Sequence, residues 1–403
     1  MSSRQSPHSI QFGNSRRTQI LAAGFLTGAA AAIYPACGNI LTDPNGFGFT
    51  STQFGSLFVV QTVSAIVSAL LSPRLRTSIR HSRLSQTGLF ATGLAMIFLL
   101  AIQLLSATTS SPYFLVLVSS LLMGAGIGLG ISVANVGATE AWSDAPQRGL
   151  TLLHTMLGLG LATSPLLVSA AISAGHWWIA PVVVGMGAVL LSCFVRSSYT
   201  PTANATFVES LPLSAAERHL VFMLGTFATL YGVTEASFSN WCVIYLHEAS
   251  GVGLASAGLV LSGFWLAVMI GRLTFSVVTQ QHGRLMTMLS PVLMTAAFLL
   301  IAVSKSVTIQ VAGYLIAGLG CAAVYPALLG FSAQLPIRHS QFVSGLMVAT
   351  VLAGTGLGTY VIAFLNRWAG LGLEQLYMAI SLVPLVLIFG LWRIDTAVRT
   401  RGR

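Results

Sequence analysis

The chain has 403 residues, of which 55% are hydrophobic and only 7% are charged. Soluble domains carry about 25% charged residues, so this composition excludes a soluble globular protein and indicates a polytopic membrane protein. The formal net charge of +10 does not indicate nucleic-acid binding, because the basic residues lie in short segments between long apolar runs.

Twelve apolar stretches are long enough to cross a bilayer as helices. They cover residues 18–41, 52–72, 86–106, 112–138, 149–173, 177–196, 219–246, 254–278, 286–304, 308–332, 342–366 and 373–393. The first stretch lacks a convincing cleavage site, so it is predicted to be a helix and not a removed signal. The predicted division is a polar tail (1–17), a six-helix bundle (18–196), a linker (197–218), a second six-helix bundle (219–393) and a tail (394–403).

The basic residues predict the orientation of these spans. Every lysine and arginine except Lys305 and Arg367 falls on one side of the membrane when the predicted spans are threaded through it. Such an excess marks the cytoplasmic side, so both termini are predicted to be cytoplasmic. Together with the absence of a targeting segment, this composition is compatible with a bacterial inner membrane.

Glycine patterns recur in the two predicted bundles. The sequence at 158–163 in the fifth span is repeated at 354–359 in the eleventh, 196 positions later. A second pair of glycine motifs, at 124–126 and 318–320, is offset by 194 positions. Matching halves predict parallel repeats about an axis along the membrane normal, with the solute bound between them near the midplane. Small residues at these positions let helices approach closely, and they permit sliding or tilting.

One acidic residue lies deep in the seventh span. Glu235 is roughly 15 residues from the start of the segment 220–246, which places it ~22 Å into a ~30 Å hydrocarbon core. An acid at this depth is costly unless it faces a cavity or a partner. Helical spacing puts Tyr231, Ser239 and Cys242 on the same face. We predict that Glu235 binds solute or carries a coupled proton; the alternative is a protonated glutamate packed against a neighbouring helix.

Four spans carry short motifs. They are Leu230-Tyr231-Gly232 through Glu235 with Trp241 and Tyr245 in the seventh, Leu153-His154 with Gly158-Leu-Gly160 and Pro165 in the fifth, Ser262-Gly-Phe-Trp265 with Gly271-Arg272 in the eighth, and Gly318-Leu-Gly320 with Tyr325-Pro326 in the tenth. These motifs resemble the major facilitator superfamily and, more narrowly, its fucose–galactose–glucose:proton symporter branch. The resemblance implies a major facilitator fold: an all-α membrane protein with twelve transmembrane helices in two pseudo-symmetric six-helix bundles.

The chain departs from that branch at the acids. Permeases of the fucose type carry proton-coupling carboxylates in the first and fourth spans. Here the first span has no acid, and the fourth has only Glu140 at its cytoplasmic end. Proton coupling by the branch's own carboxylates is therefore not expected, and Glu235 is the remaining candidate.

Polar residues near the cytoplasmic ends suggest a pathway and a gate. His154, about one turn inside the fifth span, and Asn135 in the fourth are predicted to form a polar cluster. In it, His154 is either a proton-pathway residue or a packing histidine. Glu140 and Asp144 are expected to pair with arginines, in a gate that breaks when the cavity opens inward. The predicted gating residues are Arg74, Arg76, Glu140, Asp144, Arg148 and Arg272, with Arg272 taken as a cytoplasmic anchor or gate residue and not as a ligand.

Aromatic and amide side chains in the spans are predicted to line the solute pathway. The predicted binding residues are Tyr34, Asn39, Gln61, Asn135, Tyr231, Glu235, Asn240, Trp241, Trp265 and Tyr325. Flat aromatic faces and amide hydrogen bonds suit sugars, and they would equally suit nucleosides, aromatic amines or siderophore-like chelators. Trp241 has a second interpretation as a residue of the interfacial aromatic belt.

These features predict a monomeric secondary active transporter of a small polar solute, a sugar for example, working by alternating access in the lipid bilayer with protons as the coupled ion. The alternative is a proton-driven exporter of a drug or a secreted metabolite such as a siderophore. A channel or sensor is a third class, which the two-halves symmetry disfavours. The sequence shows no ATP-binding loop, nucleophile constellation or cysteine spacing for a metal, so neither an enzyme nor a cofactor is predicted.

Overall fold

The structure is a computed structural model that describes residues 7–105, 112–195, 214–332 and 337–401. Within these ranges the chain forms helices and no strand. The helices are α1 (Pro7–Ala31), α2 (Ile33–Ala36), α3 (Gly38–Thr42), α4 (Ser51–Ser78), α5 (His81–Leu105), α6 (Pro112–Ala141), α7 (Pro146–Ser173), α8 (Ile179–Phe194), α9 (Ala215–Glu248), α10 (Leu254–Val303), α11 (Val307–Ser332), α12 (Ile337–Trp368), α13 (Leu373–Ile380) and α14 (Leu382–Arg401). The predicted all-α fold is confirmed.

The helices account for the predicted spans. In the described part of the chain, eleven segments are long and apolar enough to cross a membrane, and α8 is a shorter apolar helix of 16 residues. At ~1.5 Å per residue α8 is ~24 Å long, so it needs its flanking residues to complete a ~30 Å crossing. The first span is interrupted at Ala32 and Cys37, on either side of Pro35, whose ring nitrogen cannot donate a helical hydrogen bond.

The structure shows where the first helix begins and where the helix after the predicted linker begins. Helix α1 begins at Pro7, so residues 7–17 of the predicted polar tail are helical and extend the first helix beyond its apolar part. Most of the predicted linker, residues 197–213, lies outside the described residues. Helix α9 then starts at Ala215, where the Ser214 side chain accepts a hydrogen bond from the backbone N–H of Glu217. This is a capping box, which satisfies two otherwise unpaired backbone donors.

Helix α10 contains two spans that run in opposite directions. Its 50 residues are helical throughout, and a straight helix would separate Phe264 from Phe298 by ~51 Å. Both rings instead contact the ring of Phe238, with centroids 6.2 Å and 3.7 Å away. The chain therefore turns back between the spans Leu254–Val277 and His282–Val303.

The glycine repeat is visible as equivalent helix contacts. A Cβ at Gly160 of α7 would meet the backbone of Phe25 in α1, and a Cβ at Gly354 of α12 would meet the backbone of Thr229 in α9. Each half thus packs its fifth helix onto its first through glycine. The predicted pseudo-symmetry of the two bundles is confirmed.

The tenth and fourth spans show the same correspondence. A Cβ at Gly124 of α6 would meet the backbone oxygen of Gln61 in α4, and one at Gly318 of α11 would meet that of Phe264 in α10. In both halves the fourth span therefore contacts the second through a glycine that leaves no space for a side chain.

The two halves are joined at one end of the bundle. We call the end that carries the basic segment 74–83 the arginine-rich end. At the opposite end, Asn39 Nδ2 donates to the Val243 carbonyl over 2.8 Å, and Ser51 Oγ donates to Asn366 Oδ1 over 2.6 Å. Hydrogen bonds and close packing are what hold helices together where lipid surrounds them.

Helix α9 is most deeply buried at the end where the two halves are joined. Residues 236–246 are buried at eleven consecutive positions, so protein surrounds this part of the helix on every side. Nearer the arginine-rich end, the same helix alternates between buried and exposed positions. There Gly345 of α12 has no atom within 4 Å of where a Cβ would lie. The space between the halves is therefore closed at the end opposite the arginine-rich end, where the halves are hydrogen-bonded and α9 is buried on every side; we call this region the seal.

Candidate functional site

Glu235 lies where the sealed part of α9 begins. Its side chain is 13% exposed, and its Oε1 accepts a hydrogen bond from Tyr231 Oη, one helical turn earlier, over 2.6 Å. The Tyr231 hydroxyl also lies 2.9 Å from the backbone carbonyl of Cys321 in α11. A hydroxyl has one hydrogen, so Tyr231 can donate to the carboxylate or to the carbonyl but not to both fully.

A cation faces this carboxylate. Arg272 Nη2 of α10 lies 3.4 Å from Glu235 Oε1 and 3.4 Å from the Tyr231 hydroxyl. The Arg272 side chain is 32% exposed, and its Nε atom is buried with no hydrogen-bond partner among the described residues. The Arg272 side chain thus supplies a counter-charge for Glu235, while its role as an anchor or gate residue stays a prediction.

Aromatic side chains surround the ion pair. The Tyr325 ring of α11 stacks on the Tyr231 ring with centroids 6.2 Å apart and an interplanar angle of 11°. Trp265, two turns before Arg272 on α10, is partly buried, and its indole N–H has no partner among the described residues. A ring face and a free N–H donor are features that bind polar solutes with apolar faces.

The other half contributes His154 and Asn135, as the sequence predicts. Both line a small pocket between α1, α6 and α7, together with Thr27 and Leu157. The His154 side chain is exposed in this pocket and lies within electrostatic range of Arg272. The Asn135 Oδ1 atom is buried and has no partner among the described residues. His154 is therefore the member of this cluster that interacts electrostatically with the second half.

Several predicted lining residues lie in the seal. Tyr34 donates to Ser119 Oγ over 2.8 Å within the first bundle. Asn240 Nδ2 donates to Thr359 Oγ1 over 2.8 Å, and Trp241 Nε1 donates to the Thr359 carbonyl over 3.3 Å. These three side chains are buried, and so is the Asn39 side chain described above. In this conformation they hold helices together, and none of them faces the cavity.

The structure also shows the surroundings of Trp241 and Gln61. The Trp241 side chain is only 1% exposed and packs edge-on against Phe54 of α4 with centroids 5.5 Å apart, so its interpretation as an interfacial belt residue is wrong. Gln61 of α4 is partly buried, and its Oε1 has no partner among the described residues. Gln61 therefore keeps a free acceptor, as a lining residue would.

The acids at the end of α6 pair differently from the prediction. Glu140 accepts from Arg16 Nη2 over 2.6 Å, and Asp144 lies 4.0 Å from Arg17. The Arg17 guanidinium also lies over the Trp142 ring, 5.0 Å from its centroid. Both acids thus pair with arginines of the extended α1, and the gate that includes Arg74, Arg76 and Arg148 stays a prediction. Arg74 and Arg148 are exposed, and Arg76 is partly buried with an unpartnered Nε.

The sequence identifies the charged side chains of the site, but it does not identify the groups with which they pair. The Cys321 carbonyl and the pairing of Arg272 with Glu235 are not apparent from a span-by-span reading. The sequence does contain one indication of this pairing. Arg272 lies inside the predicted eighth span, which directly follows the span that holds Glu235. No group of His, Cys, Asp and Glu that could hold a metal occurs among the residues that the structure describes.

Comparisons with known proteins agree with this architecture. The chain is 25% identical to an uncharacterized transporter of Sinorhizobium fredii, covering 86% of this chain and 89% of that one. It is 21% identical to the glucose/mannose transporter GlcP of Bacillus subtilis, covering 80% of each. The solved structure of the nucleoside transporter NupG matches with a TM-score of 0.76 at 12% identity, covering 94% of this chain and 99% of that chain.

A bacterial homolog of the human lysosomal transporter Spinster, in an inward-facing and occupied conformation, matches with a TM-score of 0.74 at 13% identity, covering 98% of both chains. At these identities the solved structures show the fold alone. The sequence model described as Major Facilitator Superfamily matches residues 20–329, more than half of the chain. This chain therefore belongs to the Major Facilitator Superfamily, whose members are transporters and not enzymes.

Proposed function

We propose that this protein is a proton-coupled secondary transporter that moves a small polar solute across a bacterial inner membrane by alternating access. The observation that carries the proposal is the Glu235–Arg272 ion pair at the closed end of a space between two pseudo-symmetric bundles. Charged groups inside a membrane mark substrate or ion pathways far more often than they serve packing. With both termini cytoplasmic, the seal lies on the side away from the cytoplasm.

Glu235 is the proposed proton carrier. The groups that face it are Tyr231 on its own helix, Arg272 of α10, and the Cys321 carbonyl and Tyr325 of α11. From the other bundle, His154 acts on the same centre through its electrostatic interaction with Arg272. When the pair separates, the carboxylate loses its counter-charge in a poorly hydrated place, and taking up a proton relieves that cost. Proton binding would thereby be tied to the rearrangement of the halves.

A polar solute is supported by hydrogen-bonding groups in the described spans that have no protein partner. Trp265 Nε1, Asn135 Oδ1 and Gln61 Oε1 have no partner among the described residues, and Tyr325 offers a ring face. The relative named as a glucose/mannose transporter carries solutes of this kind. A sugar-like solute is therefore the first candidate to test.

The first experiment identifies a ligand by thermal unfolding of the purified protein with glucose, uridine, amino acids, cationic drugs and siderophores. A ligand at ten times its dissociation constant stabilises the folded state by ~1.4 kcal/mol. The protein is then reconstituted into proteoliposomes, and uptake of that ligand is measured with and without an imposed pH gradient.

Glu235→Gln is expected to abolish accumulation driven by the pH gradient and to leave exchange of the ligand across the membrane intact. Glu248→Gln is the matched control, because Glu248 is exposed at the end of the same helix. Equal loss of accumulation and exchange in Glu235→Gln would contradict proton coupling at this residue. Proton movement opposite to the solute would show export, the alternative direction.

A further inference from the structure

The ion pair in the cavity is incompletely formed, and its cation is the more accessible partner. Arg272 reaches Glu235 through one nitrogen at 3.4 Å, whereas charge-assisted hydrogen bonds of this type are about 2.7–2.9 Å long. The pair Arg16–Glu140, at 2.6 Å, shows what a fully engaged pair looks like in this same chain. The Arg272 side chain is also more than twice as exposed as that of Glu235.

A guanidinium has five N–H donors in a planar fork that fits the two oxygens of a carboxylate. Arg272 directs one terminal nitrogen toward Glu235 and Tyr231, and 32% of its side chain is exposed although its Nε is buried. The exposed part of the fork can therefore take a second anion. A neutral sugar would leave that capacity unused.

The rest of the cavity fits the remainder of such a ligand. His154 of the other bundle interacts electrostatically with Arg272 and lines a small pocket together with Asn135. Asn135 Oδ1 is a free acceptor for a hydroxyl, Trp265 Nε1 is a free donor, and the Tyr325 ring offers an apolar face. Of the described acidic residues, Glu235 alone lies in the middle of a span, so no second carboxylate there would repel an anion.

We infer that the transported solute is a hydroxylated organic monocarboxylate, such as a sugar acid, whose carboxylate binds Arg272 in competition with Glu235. This inference rests on the proposed function and names its substrate class. As the anion takes the guanidinium, Glu235 gives up its counter-charge and binds one proton from the water on the open side. Tyr231 can then donate to the Cys321 carbonyl. One negative charge and one proton cross together, so each cycle moves no net charge.

The test compares two ligands with the same ring, D-glucuronate and D-glucose, and adds D-gluconate as an open-chain acid. Dissociation constants are measured by isothermal titration on the purified protein. We expect at least one of the two acids to bind tenfold or more tightly than glucose. Arg272→Gln should weaken that binding at least tenfold, and Arg272→Lys, which keeps the charge and protects folding, should weaken it less.

Two further variants make the test specific. Glu235→Gln should retain or tighten anion binding, because it removes the competing carboxylate. Arg284→Gln should leave the dissociation constant unchanged, because Arg284 is exposed on the same helix α10. In proteoliposomes, uptake of the acid should alkalinise the outside and should not respond to a potassium–valinomycin membrane potential.

The outcomes separate the two proposals. Glucose binding as tight as that of the acids, no binding of either acid, or full affinity in both Arg272 variants would overturn the anionic substrate. If glucose then still moved protons, the proposed function would stand without the inference. If neither glucose nor an acid moved protons, both would fail.

Discussion

The stability of the Glu235–Arg272 pair is open to a quantitative test. At the observed 3.4 Å and an effective dielectric constant of about 20, the Coulomb attraction is about 5 kcal/mol. Because one third of the Arg272 side chain is exposed, solvent screening reduces this value, and we expect a coupling energy of about 2 kcal/mol. Arg272→Gln alone should destabilise the fold most, because it leaves a carboxylate buried without its counter-charge. Adding Glu235→Gln should recover much of that loss.

The coupling energy is measured by a double-mutant cycle, with unfolding in mixed micelles followed by tryptophan fluorescence across a sodium dodecyl sulfate titration. The control is the pair Lys305–Glu374, which has a shorter N–O distance of 2.7 Å but a lysine side chain that is 78% exposed. Its coupling energy should stay below about 1 kcal/mol. Additive effects of the two site mutations within about 0.5 kcal/mol would refute the reasoning, since they would mean that the charges do not interact.

Three further predictions concern the scaffold and the closed end. Gly160→Ala should sharply lower the yield of folded protein, because its Cβ would overlap the backbone of α1, whereas Gly345→Ala has open space and should be tolerated; size-exclusion chromatography of both distinguishes them. The double variant Ser51→Cys and Asn366→Cys, made in a background without the exposed native cysteine, can form a disulfide across the closed end. Transport should stop on oxidation and recover on reduction. Unchanged transport after proven cross-linking would exclude opening at that end. Tyr231→Phe removes the 2.6 Å hydrogen bond to the carboxylate and should slow proton-driven uptake more than solute exchange, an expectation that equal slowing of both rates would rule out.

The fold was predictable because its determinants are local and repeated. Apolar runs of bilayer length give the spans, and glycines at fixed offsets reveal the two halves. The start of α1 was not predictable from hydropathy, because residues 7–17 are polar and their helix is held by contacts such as Arg16 with Glu140. Hydropathy reports which segment prefers lipid, and it carries no information about a helix that continues into water.

The site was predictable only in part. The depth of Glu235 in an apolar span was enough to single it out, since a charge there needs a partner. Its partner Arg272 lies near the end of its own span, where a long side chain can point either to water or inward, and only the packing of α10 on α9 decides between them. Whether Asn240 or Trp241 faces the solute also depends on which end of the transporter is closed. That is a property of the conformation, and the sequence is common to all conformations.

The repeat locates the functional chemistry in the positions where the halves differ. The equivalent glycine contacts relate Phe25 to Thr229, an offset of 204, and Gln61 to Phe264, an offset of 203. By those offsets Glu235 corresponds to Ala31, and Arg272 corresponds to Ala69. Both charges are thus absent together from the first half, as expected if neither is tolerated in the membrane without the other.

The first half carries polar residues that the second half lacks at the corresponding positions. By the offset of 194 that relates Gly160 to Gly354 and Gly124 to Gly318, His154 corresponds to Val348 and Asn135 to Leu329 in the second half. The glycines that set helix approach are shared, while the ion pair belongs to one half and the polar cluster to the other. A solute that contacts both groups would bind in one orientation across a nearly symmetric scaffold. Its binding would then depend on how far apart the halves stand, which is the coupling that alternating access requires.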